Sequence, residues 1–402
     1  MTTLQNALVL PCGTTLANRI AKSAMSEDMA DPGQIPGERL WRVYERWAHS
    51  GAGLLISGNV MVDRRALGEP GNVVIEDDRA MDAFRRWAAA GQLAGAQFWV
   101  QLNHPGRQSP RFLSPEPVAP SAVGMQIPGK IFATPRELAH ADIEDIVGRF
   151  GRAAAVCKSA GFTGVQVHGA HGYLVSQFLS PHTNRRNDPW GGALQNRMRF
   201  LLEIVRAIRA AVGPAFPVAV KLNSADFQRG GFSEDESMEV VSALEAEGID
   251  LLEISGGTYE KPAVTGTLAD VRASTVAREA YFLGYARRVR SRTGLPLMLT
   301  GGFRTRAGME AAVAEGAIDV VGLARPMAQE PDFPRRVLAG TVDDSQVQPR
   351  TTGNRKLDGL LEVAWYNHQI HRMGIALDPD PKVWPWTVLA GVAWRALTAR
   401  AR

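Results

Sequence analysis

Short apolar, β-rich runs alternate along the chain with longer segments of helical spacing. The runs at 18–25, 53–60, 96–103, 164–169, 217–223, 251–256, 296–301 and 320–324, most of them ending in glycine or a polar residue, read as strands. Between them the periodicity predicts helices over 38–50, 79–93, 143–160, 195–212, 233–247, 275–292 and 306–315. Strands and helices in this alternation imply a parallel sheet, and eight such units suit a closed (β/α)₈ TIM barrel. A doubly wound sheet is the rival, but neither a Gly-x-Gly-x-x-Gly fingerprint nor a Walker A loop supports it. The barrel is expected to occupy 1–345, and a C-terminal extension 346–402 carries one helix over 357–373 and an apolar tail rich in Trp and Arg. The proline- and serine-rich stretch 103–135 is too long for an ordinary connection and predicts a lid or wall after the third strand.

Strand alternation assigns faces. Val165 and Val167 share one face, and Gln166 and His168 the other. Val218, Val220 and Leu222 face the helices, placing Ala219 and Lys221 inside. Phe98, Val100 and Leu102 likewise face outward, leaving Trp99, Gln101 and Asn103 inward, and the inward set of the sixth strand is Leu251, Glu253 and Ser255. A barrel built only for stability fills its interior with branched apolar side chains. Gln101, His168, Lys221 and Glu253 are therefore anomalous, because each costs several kcal/mol if left without a partner. Two readings stand open. In one, Lys221 and Glu253 form an internal ion pair with Gln101 and His168 hydrogen-bonded beside it. In the other, these groups serve a polar, anion-bearing ligand at the C-terminal mouth, and no group of the polypeptide answers the charge of Lys221. Gly301, Gly302 and Arg325 at the ends of the last two strands favour the second reading, since barrels commonly build a phosphate site there.

Composition adds limits. Of 402 residues, 45% are hydrophobic and 21% charged, and 45 Lys plus Arg against 41 Asp plus Glu give a net charge of +4, too small an excess to argue for nucleic acid. The cysteines, Cys12 and Cys157, are too few to ligate an iron–sulfur cluster by thiolates alone and suit a reduced, cytoplasmic setting. The N-terminal segment MTTLQNALVL does not read as a signal peptide, and no apolar run reaches the roughly 20 residues that span a bilayer.

The segments ANRIAKSAMS, WVQLNHPGRQ, VHGAHGYLVSQFLSPHTNRRNDPWGG and VVGLARP resemble the old yellow enzyme family of FMN-dependent ene-reductases, over about Asn18 to Asp332. The resemblance implies a (β/α)₈ barrel with non-covalent FMN at its mouth and NADH or NADPH as reductant. Carried over by position, Ser23, Ala24, Met25 and Ser26 lie along the isoalloxazine, with Ser26 tuning its potential. Asn59 approaches the flavin from the second strand, and Gln101 bonds its pyrimidine edge. Lys221 falls where the family more often has arginine and stabilises the anionic reduced ring. Gly302, Ala324 and Arg325 hold the phosphate. His168 and His171 bind the oxygen of an activated alkene substrate, and Tyr173 protonates its α-carbon. No metal is expected. Asp28 stands where the most similar branch often carries an aromatic, so that branch's substrate preference is not carried over. His104 and Arg107 either contact the nicotinamide or brace the loop.

In the extension, His368 and His371 share one face of a helix read as solvated or packed on the barrel. The tail VWPWTVLAGVAWRALTARAR packs on the barrel, joins a second subunit, or lies on a membrane surface. The expected activity is ping-pong reduction of α,β-unsaturated carbonyl or nitro compounds. Two alternatives are a flavin-independent lyase or hydrolase using His168, His171 and Glu253, and an idle barrel serving as a membrane-associated interaction module.

Overall fold

The computed structural model describes residues 2–127, 131–257, 282–348 and 350–391. Eight parallel strands form its centre: β1 (Ile20–Lys22), β2 (Leu54–Met61), β3 (Gln97–Asn103), β4 (Gly164–Gly169), β5 (Val218–Asn223), β6 (Leu251–Ser255), β7 (Leu297–Thr300) and β8 (Val320–Leu323). Each pairs with its neighbour, and β1 pairs with both β8 and β2, which closes the barrel. The helices outside are α1 (Glu38–Ala48), α2 (Met81–Gln92), α3 (His140–Ala160), α4 (Arg199–Val212), α5 (Glu234–Ala246), α6 (Leu283–Arg290) and α7 (Arg306–Ala314), followed by α8 (Arg355–Gly374) in the extension. The expected start of the sixth helix, 275–281, lies outside the described residues.

The face assignments hold. Phe98, Val100, Leu102, Val165, Val167, Val218, Val220 and Leu222 all join the core between strands and helices. Inside, the barrel is split by height. Ala21, Leu54, Ile56, Trp99, Ala219, Leu251, Met298 and Val320 make an apolar plug at the N-terminal end. A hairpin that the periodicity did not foresee, Leu8–Val9 paired with Thr15–Leu16, packs Leu8, Leu10 and Leu16 onto that plug and seals the bottom. Polar side chains are thereby confined to the upper half, where barrel enzymes carry their chemistry.

The long stretch after β3 is pinned as a wall. Arg107 donates to the carbonyls of Val123 and Gly124, and Arg186 donates to those of Pro120 and Leu138. His104 Nδ1 accepts the Gly106 N–H, and burial holds its pKa down to about 4. Both His104 and Arg107 are buried and brace this loop.

Helix α8 lies against the barrel beside α1. Asn367 Nδ2 donates to the carbonyls of Ser26 and Glu27 at 3.2 and 3.0 Å, and His371 Nε2 donates to Glu27 O at 2.8 Å. The expected packing of this helix is therefore seen, with His371 engaged by main chain. Val388 is buried among Leu361, Ala364 and Trp365, while Trp384 and Trp386 are exposed; residues 392–402 of the tail lie outside the described set. Among the described residues no helix is long and apolar enough to cross a membrane.

Candidate active site

The upper half of the barrel holds one continuous polar chain. Gln101 Nε2 donates to Gln166 Oε1 at 2.7 Å, and Gln166 Nε2 donates to Glu253 Oε2 at 2.7 Å. Thr300 donates to Glu253 Oε1 at 2.6 Å and meets Ser23 Oγ at 2.7 Å. Gly322 leaves room for the last contact, since a Cβ there would lie 2.1 Å from Thr300 Oγ1 and 2.5 Å from Ser23 Oγ. Strands β1, β3, β4, β6 and β7 are thus joined through their side chains, and β5 joins through Lys221.

Lys221 Nζ lies 3.0 Å from Glu253 Oε1, with the two side chains only 4% and 0% exposed. This corrects the expectation that nothing in the polypeptide answers the lysine's charge. The cause is register: Lys221 and Glu253 are direct partners on adjacent parallel strands, so their side chains leave the sheet on the same side at the same height. The pair has company on the other side of the sheet. Lys22 faces outward between α1 and the strands, donates to Ile56 O at 2.7 Å, sits 3.8 Å from Glu27 and lies 4.3 Å from the Trp47 ring centroid. Burial foremost, and then the like charge of Lys221 against the attraction of Glu27, pushes the Lys22 pKa down to about 8. The two buried pairs thus feel each other's charge across the sheet without touching. The sequence reading missed Lys22, although an ammonium on an outward, helix-facing strand position was the available signal.

Asn59 reaches the interior because β2 is irregular. Continuing the alternation from Leu54 and Ile56 would put Gly58 inside and Asn59 outside. A register shift between Ile56 and Asn59 inserts one residue, so that Asn59 pairs with Gln101. Glu27 Oε1 fixes the bulge by accepting the Gly58 N–H at 2.9 Å, and Ser57 Oγ accepts the Gln101 N–H at 2.8 Å.

The loop after β4 brings His168, His171 and Tyr173 together. The two imidazoles are 5.1 Å apart between ring centroids, and the His168 and Tyr173 rings 4.7 Å apart, both edge to face. Tyr173 OH accepts from Asn59 Nδ2 at 3.2 Å. His168 Nδ1 accepts the Ala170 N–H, which leaves Nε2 to carry the ring hydrogen. His171 adopts a left-handed backbone (φ 61°), uncommon for a side chain of its size, and is held by Asn223 at its N–H, Gln108 at its carbonyl and Ser255 Oγ at Nε2, 2.8 Å away. Burial foremost, with the charge of Lys221 added, pushes the His171 pKa down to about 3 and that of His168 well below the usual imidazole range. Both rings are neutral at physiological pH.

The unfolded chain takes up protons on histidine below about pH 6.5 and the folded one does not, so stability present above that pH is lost as pH falls towards 3. His171→Asn is expected to flatten part of this acid limb, read as the change in urea midpoint between about pH 7 and about pH 4. An unaltered limb contradicts the assignment.

Much of the long block from His168 to Gly192 is scaffold for that loop. Gln177 donates to the carbonyls of Pro105 and Gly172, Asn184 to those of Phe178 and Trp190, and Trp190 Nε1 to His140 Nδ1, while Arg186 pairs with Asp188. At the other rim, Gly301 and Gly302 have φ of 129° and 94°, and Arg325 follows β8 after a single residue, Ala324. Arg325 pairs with Glu362 of α8, a partner the sequence reading did not foresee. Ser26, Ala24 and Met25 follow β1, and Ser23 is engaged through its hydroxyl in the interior chain described above.

Residues 11–344 match the family model described as the NADH:flavin oxidoreductase / NADH oxidase family. An NADH-dependent flavin oxidoreductase of Hypocrea jecorina (strain QM6a) is 40% identical over 357 residues, covering 82% of this chain and 88% of that protein. Among solved structures, an old yellow enzyme homologue from Zymomonas mobilis superposes with a TM-score of 0.72 at 26% identity, covering 86% of this chain and 95% of that one. A 2-naphthoyl-CoA reductase in complex with 2-naphthoyl-CoA superposes with a TM-score of 0.82 at 26% identity over 92% of this chain but only 58% of its own length. The chain belongs to the NADH:flavin oxidoreductase / NADH oxidase family and is an FMN oxidoreductase of old yellow enzyme type.

Proposed function

We propose that the protein reduces activated alkenes, α,β-unsaturated carbonyl or nitro compounds, at the C-terminal mouth of the barrel. The observation that carries this reading is the convergence of two neutral imidazoles and a phenol on one short loop beside Asn59.

The mouth fits FMN on its own polar atoms. Asn59 Oδ1 and both amide atoms of Asn103 are buried without a hydrogen-bond partner among the described residues, an arrangement that a hydrogen-bonding guest relieves. The residues that would hold the cofactor are Ser23, Ala24, Met25 and Ser26 along the ring, with Asn59 and Gln101 at its polar edge and Lys221 beside it. Gly302, Ala324 and Arg325 would take the phosphate. Bound FMN supplies hydride gained from NADH or NADPH, so that the two reactants use one site in turn.

The protein's part is to bind, orient and protonate. A neutral imidazole with its hydrogen on Nε2 donates to a substrate oxygen without carrying charge, and its bond strengthens as that oxygen becomes an enolate or nitronate. Each such donor is worth about 10²–10³ in rate. His171 Nε2 is engaged by Ser255 Oγ at 2.8 Å, so it would serve as the second donor through Nδ1, with the Ser255 hydroxyl donating to Nε2. Tyr173, polarised by the Asn59 amide, hands its proton to the α-carbon and recovers one from solvent. Lys221, already paired with Glu253, contributes its remaining N–H donors to the ring edge and not an unanswered charge.

Isotope placement tests the proposal. With 4-deuterated NADH in ordinary water the label is expected at the alkene β-carbon. With ordinary NADH in D₂O it is expected at the α-carbon. Label from the nicotinamide at the α-carbon would overturn the assignment of Tyr173.

A further inference from the structure

The loops that follow β1 and β2 are laced together at three successive levels. Ala30 N–H donates to Gly71 O at 2.9 Å, Gly71 N–H donates to Asp28 Oδ1 at 2.6 Å, and the Ser26 hydroxyl donates to Glu69 Oε2. Only a glycine permits this approach, since a Cβ on Gly71 would lie 2.5 Å from the Asp28 carbonyl carbon. Buried Asn72 holds the acid from its own side. Its Oδ1 accepts the N–H groups of Gly68 and Glu69, and its Nδ2 donates to Glu69 Oε2 at 3.3 Å. Asn367 on α8 fixes the Ser26 carbonyl from outside. Ser26 is therefore held at both main chain and hydroxyl, and what holds the hydroxyl is a carboxyl group.

A single hydrogen can occupy the line between Ser26 Oγ and Glu69 Oε2. An ionised carboxylate only accepts, so the serine hydrogen turns towards it and Ser26 offers other neighbours lone pairs alone. A protonated carboxyl donates, and the serine hydrogen is then free for another acceptor. We propose that Glu69 is a positioning residue which decides whether the Ser26 hydroxyl acts as donor or acceptor towards the flavin ring. The inference rests on the reading that Ser26 lies along that ring.

The charges that act on Glu69 are those of Asp28 and Glu27 on the loop after β1; Glu27 in turn lies 3.8 Å from Lys22, and its carbonyl accepts from His371 of α8. Burial first, then the negative charge of Asp28 and, after the opposing bond from Asn72, that of Glu27 push the Glu69 carboxyl up to about 8. The exchange of donor for acceptor thus falls in a pH range where the protein can be handled.

The test follows the visible band of the oxidised, bound flavin from about pH 6 to about pH 10 in the wild type, Glu69→Gln, Ser26→Ala and Ser26→Thr. The expected result is a wild-type transition near pH 8 that is lost in Glu69→Gln and Ser26→Ala and kept in Ser26→Thr, which restores the hydroxyl. A wild-type band that does not move with pH, or a transition retained in Glu69→Gln, overturns the inference. If Glu69→Gln does not retain flavin, the serine pair decides: a transition kept in Ser26→Ala or lost in Ser26→Thr overturns it. A transition lost in Glu69→Gln but kept in Ser26→Ala has a different meaning, for then the placement of Ser26 along the ring is what fails.

Discussion

Tyr173→Phe is expected to slow alkene reduction by about 10²–10⁴-fold, the range lost with a positioned general acid, while reduction of the flavin by NADH proceeds at close to its normal rate. The substitution keeps the ring that packs 4.7 Å from His168 and removes only the hydroxyl that Asn59 holds at 3.2 Å. Flavin reduction needs no proton at the alkene α-carbon, so the two half-reactions separate. Anaerobic stopped-flow absorbance reads each one: bleaching on mixing with NADH, then recovery on mixing the reduced enzyme with an enone. If both half-reactions slow equally, Tyr173 acts through the architecture of the site and not as an acid.

The second large effect concerns stability. Glu253→Ala removes at one stroke the acceptors of Lys221 at 3.0 Å, Gln166 at 2.7 Å and Thr300 at 2.6 Å, and strands an ammonium group in a nearly dry interior. Breaking a buried pair from one side costs about 3–5 kcal/mol. Replacing both partners by apolar groups, Lys221→Met with Glu253→Leu, is expected to recover most of that loss, because two desolvated charges then disappear together. Urea unfolding at one fixed FMN concentration measures both, with the slope checked for constancy. A single-mutant loss below about 1 kcal/mol would mean that water enters the barrel and screens the lysine.

The same pair shows what could be read in advance. All eight strands and the inward and outward faces of β3–β6 were legible, because a two-residue alternation flanked by helical spacing fits a strand between helices and little else. The gathering of His168, His171 and Tyr173 on the loop after β4 was legible too, carried by a block of sequence in which Gln177, Asn184, Arg186 and Trp190 serve the loop's shape. Three things were not. The pairing of Lys221 with Glu253 was one of two readings left open, and the choice between them depends on the register between β5 and β6, which the connecting residues do not specify. The inward turn of Asn59, which the resemblance implies but the strand alternation does not, depends on a bulge fixed by Glu27, a residue 32 positions earlier in the chain. The partners that α8 supplies, Asn367 and His371 to the loop after β1 and Glu362 to Arg325, depend on how an extension docks, and a helix with polar residues on more than one face gives little warning of that. In each case the missing information is long-range, and local propensity carries none of it.

One site is expected to accept electrons from a nicotinamide and pass them to an alkene. Anaerobic absorbance of the purified, FMN-loaded protein tests it most directly. The yellow band is expected to bleach on adding a stoichiometric amount of NADH or NADPH and to return when a small enone is added, with the saturated ketone as product. A band that neither nicotinamide bleaches, or one that bleaches and recovers only when air is admitted, would contradict the account.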